Sequence, residues 1–260
     1  MPPSSLESLR DLAERYLAEL PFAAELGGLT EAMRYSLDGG GKRIRPVLCL
    51  ATGEAVGAGP DELLPAAAAI ELVHTFGIVH DDLPALDDDD VRRGRATSHV
   101  RFDEATAILN GDALLAQAFE LALSYPTAAV AHELSRATIG MIGGQFDDVH
   151  GGDDDLARRH SLKTGRLFEA AVGSALAVAE LPEPERAPWR SFASEFGLLY
   201  QVVDDVLDGD GLAAELGPDG AHGLADELEA RARAQLDAIP ADTSLLDELL
   251  SGLKSRAAAS

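Results

Sequence analysis

The stretch HDDLPALDDDDVRRGR, residues 80–95, places six aspartates between positions 81 and 90 and follows them with Arg92, Arg93 and Arg95. Carboxylates packed this densely repel one another, and those at a helix C-terminus also face its partial negative charge, so the arrangement calls for a cation. A second acidic run, QVVDDVLDGD at 201–210, sets Asp204 and Asp208 four residues apart, on one helical face. Both runs emerge from apolar sequence. Asp81, Asp82 and Asp87 in the first and Asp204 and Asp208 in the second form all-oxygen sets without His or Cys, which suit Mg²⁺ rather than Zn²⁺. Mg²⁺ keeps several waters and completes its shell with substrate phosphates, so two carboxylate groups facing each other across a cavity fit a phosphorylated ligand. Solvated surface is the better account of GGDDD at 151–155 and of Asp89 and Asp90. An EF-hand is excluded, because the loop lacks the central Gly and closing Glu.

The basic residues fall into three groups. Lys42, Arg43 and Arg45 follow three glycines, Arg92 and Arg93 follow the first acidic run, and Lys163, Thr164 and Arg166 form the third. Arginine captures phosphate oxygens in bidentate fashion and lysine acts as a point charge. Three such groups beside two carboxylate sets imply more than one phosphorylated ligand, with diphosphates the best fit. His74 lies seven residues before Asp81, two helical turns back on the same face, either as a cavity-facing hydrogen-bond donor or as a satisfied core histidine. Cys49, the single cysteine, sits in the apolar run PVLCLA and reads as a small buried hydrophobe. No Ser/His/Asp or Cys/His arrangement for nucleophilic catalysis is present.

The elements that position these residues are helices. Alanine and leucine abound and aromatics make up 5% of the 260 residues. Leu6, Leu9, Leu12, Tyr16 and Leu20 share one helical face, ended by Pro21. Residues 61–82 read as a long helix that is apolar nearly all round and therefore central and buried. Pro84 then bends the chain so that Asp87 can turn back toward Asp81. Further helices are predicted at 29–38, 103–123, 127–149, 153–179, 183–208, 223–239 and 243–256. Breaks are expected at SYPT, GGDDD, LPEPER and GDGLAAELGPDGAHG, and no strand pattern stands out. A formal net charge of −24 excludes a nucleic-acid partner, whose affinity would come from Lys and Arg on phosphates. The absence of a disulfide framework and of a signal-peptide apolar region points to a cytoplasmic protein. Apolar runs broken by Pro or Glu argue against a transmembrane segment. The expectation is one all-α domain over residues 1–260.

Five ordered motifs, GGGKRIRP, HDDLPALDDDDVRRG, GGQFDD, KTGRLFEAA and YQVVDDVLD, resemble those of the trans-isoprenyl diphosphate synthases, the short-chain polyprenyl synthetases, over about residues 25–210. The resemblance implies an isoprenoid synthase-type helical bundle around a deep central cavity, usually a homodimer. Lys42, Arg45, His74 and Arg93 would hold isopentenyl diphosphate. Asp81 and Asp87, with Asp204, would bind several Mg²⁺ ions that clasp the allylic diphosphate. Arg92, Lys163, Thr164 and Gln201 would contact that same diphosphate. Phe76, five residues before Asp81 and so about 7.5 Å deeper, would floor the cavity for the growing chain, as in the bacterial-type farnesyl diphosphate synthases. Gly77 beside it leaves geranylgeranyl diphosphate open as a product.

The sequence departs from the family after Asp208. A glycine/lysine loop whose lysine reaches the allylic diphosphate is expected there, yet no lysine lies between Lys163 and Lys254 and the segment after about 210 looks shortened. That departure keeps a non-catalytic subunit of a heteromeric synthase among the alternatives, although a retired site has no reason to maintain repelling carboxylates. A terpene cyclase of related fold would lack a use for GGGKRIRP, and an acidic scaffold would need no glycine-flanked lysine.

Overall fold

The computed structural model describes residues 4–151, 161–209 and 211–257, with the backbone alone at 161, 163, 256 and 257. Helix α1 (Leu6–Glu19) opens on a reciprocal cap between Ser5 and Ser8 and stops ahead of Pro21. Helices α2 (Leu29–Leu37) and α3 (Ile44–Ala55) flank the triple-glycine loop. The centre of the bundle is α4 (Pro60–Asp81), which packs against α1, α2 and α3 and against three later helices, α6 (Glu104–Leu123), α7 (Ala129–His150) and α8 (Arg166–Val178). Because α4 is covered on every side it carries no polar stripe, as its uniformly apolar sequence requires. At 22 residues and mean hydropathy 1.5 it is long and apolar enough to cross a membrane, a length that its internal Pro and Glu do not prevent, but 72% of the span is buried inside the protein.

Pro65 sits inside α4, and the helix is mended from outside. The Tyr125 hydroxyl accepts from Ala66 N–H at 3.0 Å and donates to Glu62 C=O at 2.7 Å. It thus bridges a donor and an acceptor that would otherwise pair with each other along the helix. Tyr125→Phe is expected to lower unfolding free energy by about 1–3 kcal/mol, the cost of stranding both groups. Equilibrium urea unfolding reads this, and unchanged stability would mean the helix closes its own bond.

Beyond α4 come a two-residue ladder, Val91–Arg92 against Arg95–Ala96, and the short α5 (Ser98–Arg101). A π-helical turn, Ser161–Gly165, leads into α8, followed by α9 (Ala187–Asp208), α10 (Gly211–Asp237) and α11 (Ser244–Ala257). The all-α architecture is as the periodicity predicts, and the ladder is a small addition that two residues per strand could not signal. The predicted break over GDGLAAELGPDGAHG is corrected in part. The break holds at Gly209, the left-handed cap of α9 (φ 74°, ψ 26°); Asp210 lies outside the described residues, and 211–223 is helix, interrupted at Gly217 (φ 72°, ψ 164°). Pro218 then stands where a proline suits a restarting helix, and buried Leu212, Ala221, Ala225 and Leu228 draw both halves onto the bundle.

Candidate active site

Four segments converge at one end of the bundle: the glycine loop before α3, the C-termini of α4 and α9, and the π-helical turn. Between the glycine loop and the end of α9 lies a polar pocket of about 590 Å³, lined by Lys42, Arg45, His74, Arg93, Asp204 and Asp208 among others. Helical spacing puts His74 on the wall of α4 and brings Asp204 and Asp208 together on α9. Arg93, at a left-handed φ of 53°, donates from Nη1 to Gly40 C=O. A Cβ on Gly41 would stand 2.7 Å from that same nitrogen, and the φ of 151° there is one that a side chain rarely adopts, which together favour the glycine.

Arg45 is the most informative of these side chains. It is 7% exposed, and its guanidinium lies 4.5 Å over the Phe168 ring and 5.7 Å from that of Tyr200. Nη1 lies 3.3 Å from His74 Nε2, while Nε is buried without a hydrogen-bond partner. An arginine cannot accept, so Nε2 of His74 is the acceptor and the imidazole proton sits on Nδ1. Burial, then the charges of Arg45, Arg93, Arg43 and Arg92, holds the His74 pKa well below its ordinary value. The folded protein therefore keeps His74 neutral, while the unfolded chain protonates it near about pH 6.5. Below that pH the unfolded state binds the extra proton, and stability falls as pH drops toward the depressed folded value. His74→Gln is expected to flatten the loss of melting temperature between neutral and mildly acidic pH; an unchanged slope would remove His74 from that dependence.

Arg45 and His74 also line a second, mainly apolar cavity of about 300 Å³ on their other side. Its walls include Phe76, Gly77, Met141, Ile142, Gln145 and Phe146, and Asp81 and Thr164 line it too. Phe76 is buried and packs edge-on against His80, ring centroids 4.9 Å apart. The room left by Gly77 is taken by the Met141 thioether, whose sulfur would lie 3.2 Å from an added Cβ. The α7 residues were not anticipated from sequence, although Ile139, Ile142, Phe146 and Val149 stand at helical spacing and remain exposed to an extent uncommon for large apolar side chains. The GGQFDD motif on the same helix was the available signal.

The remaining site residues divide. Asp87 turns back as the proline predicts, its N–H donating to Asp81 C=O at 2.8 Å. Asp82 is buried and accepts from Arg92 Nε at 2.5 Å, while Arg92 Nη2 reaches Asp89 at 3.0 Å. Burial pushes the Asp82 carboxyl up, and the Arg92 bond opposes it. Gln201 donates from Nε2 to Asp205 at 2.7 Å, away from the polar pocket. Asp205 also accepts Leu212 N–H at 2.9 Å and so ties α10 to the end of α9. The Lys163 side chain lies outside the described residues.

A family model for polyprenyl synthetase matches residues 27–227. A geranylgeranyl diphosphate synthase from Cyanophora paradoxa is 43% identical over 195 residues, 68% of this chain and 64% of that protein. A farnesyl diphosphate synthase from Micrococcus luteus is 42% identical over 201 residues, 73% of this chain and 69% of its own. The matched span is thus just under two thirds of the first relative's length and just over two thirds of the second's. The crystal structure of a geranyltransferase from Legionella pneumophila superposes with a TM-score of 0.87 at 32% identity, covering 96% of each chain.

Proposed function

The chain belongs to the polyprenyl synthetase family, and from that membership we propose that it is a prenyltransferase joining isopentenyl diphosphate to dimethylallyl or geranyl diphosphate, with farnesyl diphosphate as its main product. The observation that carries this is Arg45, a buried cation with an unpaired donor at the wall shared by a polar pocket and an apolar cavity. A condensation of two diphosphates, one with a hydrocarbon chain to shelter, needs that pairing of spaces.

Isopentenyl diphosphate occupies the polar pocket, held by Lys42, Arg45 and Arg93, with His74 donating from Nδ1. The allylic chain lies in the apolar cavity, its diphosphate near Thr164 and, in this assignment, Lys163, Gln201 and Arg92. The carboxylates of Asp81, Asp87, Asp204 and Asp208 fit Mg²⁺, being hard oxygen donors without His or Cys. Among the described residues no three such groups form a closed metal cluster, and Mg²⁺ would complete its shell with waters and substrate phosphates. When bound, Mg²⁺ neutralises the departing diphosphate. Asp82, occupied by Arg92, is better placed to aim that arginine than to ligate. The allylic C–O bond breaks heterolytically, the isopentenyl double bond forms the new C–C bond to the cation, and the proton lost passes to the released diphosphate. The walls of the cavity are mainly aromatic and aliphatic, and no protein nucleophile is required.

A geranylgeranyl product is the second possibility, since the Met141 side chain beside Gly77 is flexible enough to yield. Exposed Leu109 and Leu123 on α6 and Ile139 on α7 support a homodimer; in this assignment residues 1–260 are one domain that works in the cytoplasm. Purified protein incubated with Mg²⁺, isopentenyl diphosphate and each allylic diphosphate in turn, with products identified by mass, tests the activity and its product. A C15 main product bears the proposal out, a C20 product moves it to the second possibility, and no prenyl product from any allylic substrate overturns it.

A further inference from the structure

Arg43 stands between Lys42 and Arg45 in sequence but does different work. It is 5% exposed and adopts a left-handed φ of 48°, a conformation that costs a non-glycine residue about 1 kcal/mol or more. Its donors are largely spoken for. Nη1 bonds Glu71 at 2.6 Å, Nε bonds Glu14 at 3.0 Å, and Nη2 bonds Leu37 C=O at 2.5 Å. One guanidinium thereby ties α1, the end of α2 and α4 together. Burial acts to lower its pKa, but Glu71 and Glu14 outweigh that and hold it charged.

Glu71 is the other half of the puzzle. It is 4% exposed, lies one turn before His74 on α4, and lines the same polar pocket as Lys42, Arg45 and Arg93. An anion beside a site for a diphosphate repels the ligand unless a cation cancels it, and Arg43 does so at 2.6 Å. Breaking such a buried pair is costly, whereas the pair itself contributes geometry more than stability.

We propose that Arg43 and Glu71 form a clamp that fixes the left-handed turn at Arg43, and with it the directions in which Lys42 and Arg45 leave the chain toward the isopentenyl diphosphate pocket. They are positioning residues. This rests on the proposed function above, and it assigns Arg43 a role distinct from the ligand role of its two neighbours.

The test compares Glu71→Gln and Arg43→Lys with the unmodified protein. Steady-state kinetics yield KM for isopentenyl diphosphate, KM for geranyl diphosphate and kcat, and calorimetry with isopentenyl diphosphate alone reads binding without turnover. Glu71→Gln is expected to raise the isopentenyl diphosphate KM and Kd at least tenfold, with geranyl diphosphate KM within about twofold and kcat within about threefold. Arg43→Lys, which keeps the charge but loses the fork, shifts the same constants in the same direction by less and serves if Glu71→Gln does not fold. A lowered melting temperature with both KM values unmoved, or moved equally, overturns the clamp. If the unmodified protein binds isopentenyl diphosphate but makes no prenyl product, the proposed activity fails while calorimetry still judges the clamp. If it binds none, both fall.

Discussion

Asp204→Asn lowers kcat/KM for condensation by about 10²–10³-fold, the scale on which removing one preorganised electrostatic contact acts. The carboxylate lines the polar pocket with Lys42, Arg45 and Arg93, at the C-terminal end of α9 where the helix itself offers partial negative charge. The Asp204 charge acts favourably on the buried Arg45 guanidinium of the same pocket, and its removal is expected to fall mainly on turnover. Its neighbour supplies the contrast. Asp205 is buried and accepts from Leu212 N–H and Gln201, so Asp205→Asn strips charge from two hydrogen bonds and costs about 1–3 kcal/mol of stability. Kinetics and thermal melts on both variants separate the roles. The Asp204 variant should lose activity with the smaller change in melting temperature, and the Asp205 variant should melt earlier with the smaller change in kcat. Activity within tenfold of the unmodified protein for Asp204→Asn would exclude this residue from diphosphate activation.

Phe76→Ala moves the main product up by at least one five-carbon unit. The ring lies on α4 a turn and a half deeper than Asp81, walls the apolar cavity, and is fixed edge-on by His80, whose Nε2 is in turn 3.0 Å from Ile108 C=O. Removing it lengthens the space available to a growing chain without touching a charged group, so kcat for the first addition should change little. Truncating a core Phe costs about 3–5 kcal/mol, and the cost here should fall below that range because one side of the ring already borders open space. Mass analysis of chain length under excess isopentenyl diphosphate decides the matter. Retention of a C15 product would move the floor to Met141, across from Gly77, and Met141→Ala would then carry the lengthening.

Both expectations draw on parts of the molecule that the sequence made legible to different degrees. Asp204 and Asp208 on one face, Asp87 folded back by Pro84, and Phe76 below Asp81 all follow from helical spacing and a proline, which act locally. The role of Asp205 does not. Two adjacent aspartates look alike in sequence, and only the arrival of Leu212 from α10 makes one of them a cap. Arg43 hides similarly among basic neighbours, because its partners are 28 and 29 residues away. The contribution of α7 to the cavity was obscured by its apolar stripe, which reads as ordinary core until the fold shows that nothing covers it. Over residues 211–223 the density of Gly and Pro outweighed the buried Leu212 and Ala221, and composition misled where packing decided.

The wall formed by Arg45 and His74 has a thermodynamic corollary. One pair of side chains borders both spaces, so a ligand that draws the Arg45 guanidinium toward one of them changes what the other offers. The two affinities are then linked, and linkage is reciprocal: whatever factor an allylic diphosphate applies to the dissociation constant of isopentenyl diphosphate, isopentenyl diphosphate must apply in return. Cooperativity between substrates in this chain therefore needs no second subunit and no moving lid; a single buried cation shared by two neighbours is enough.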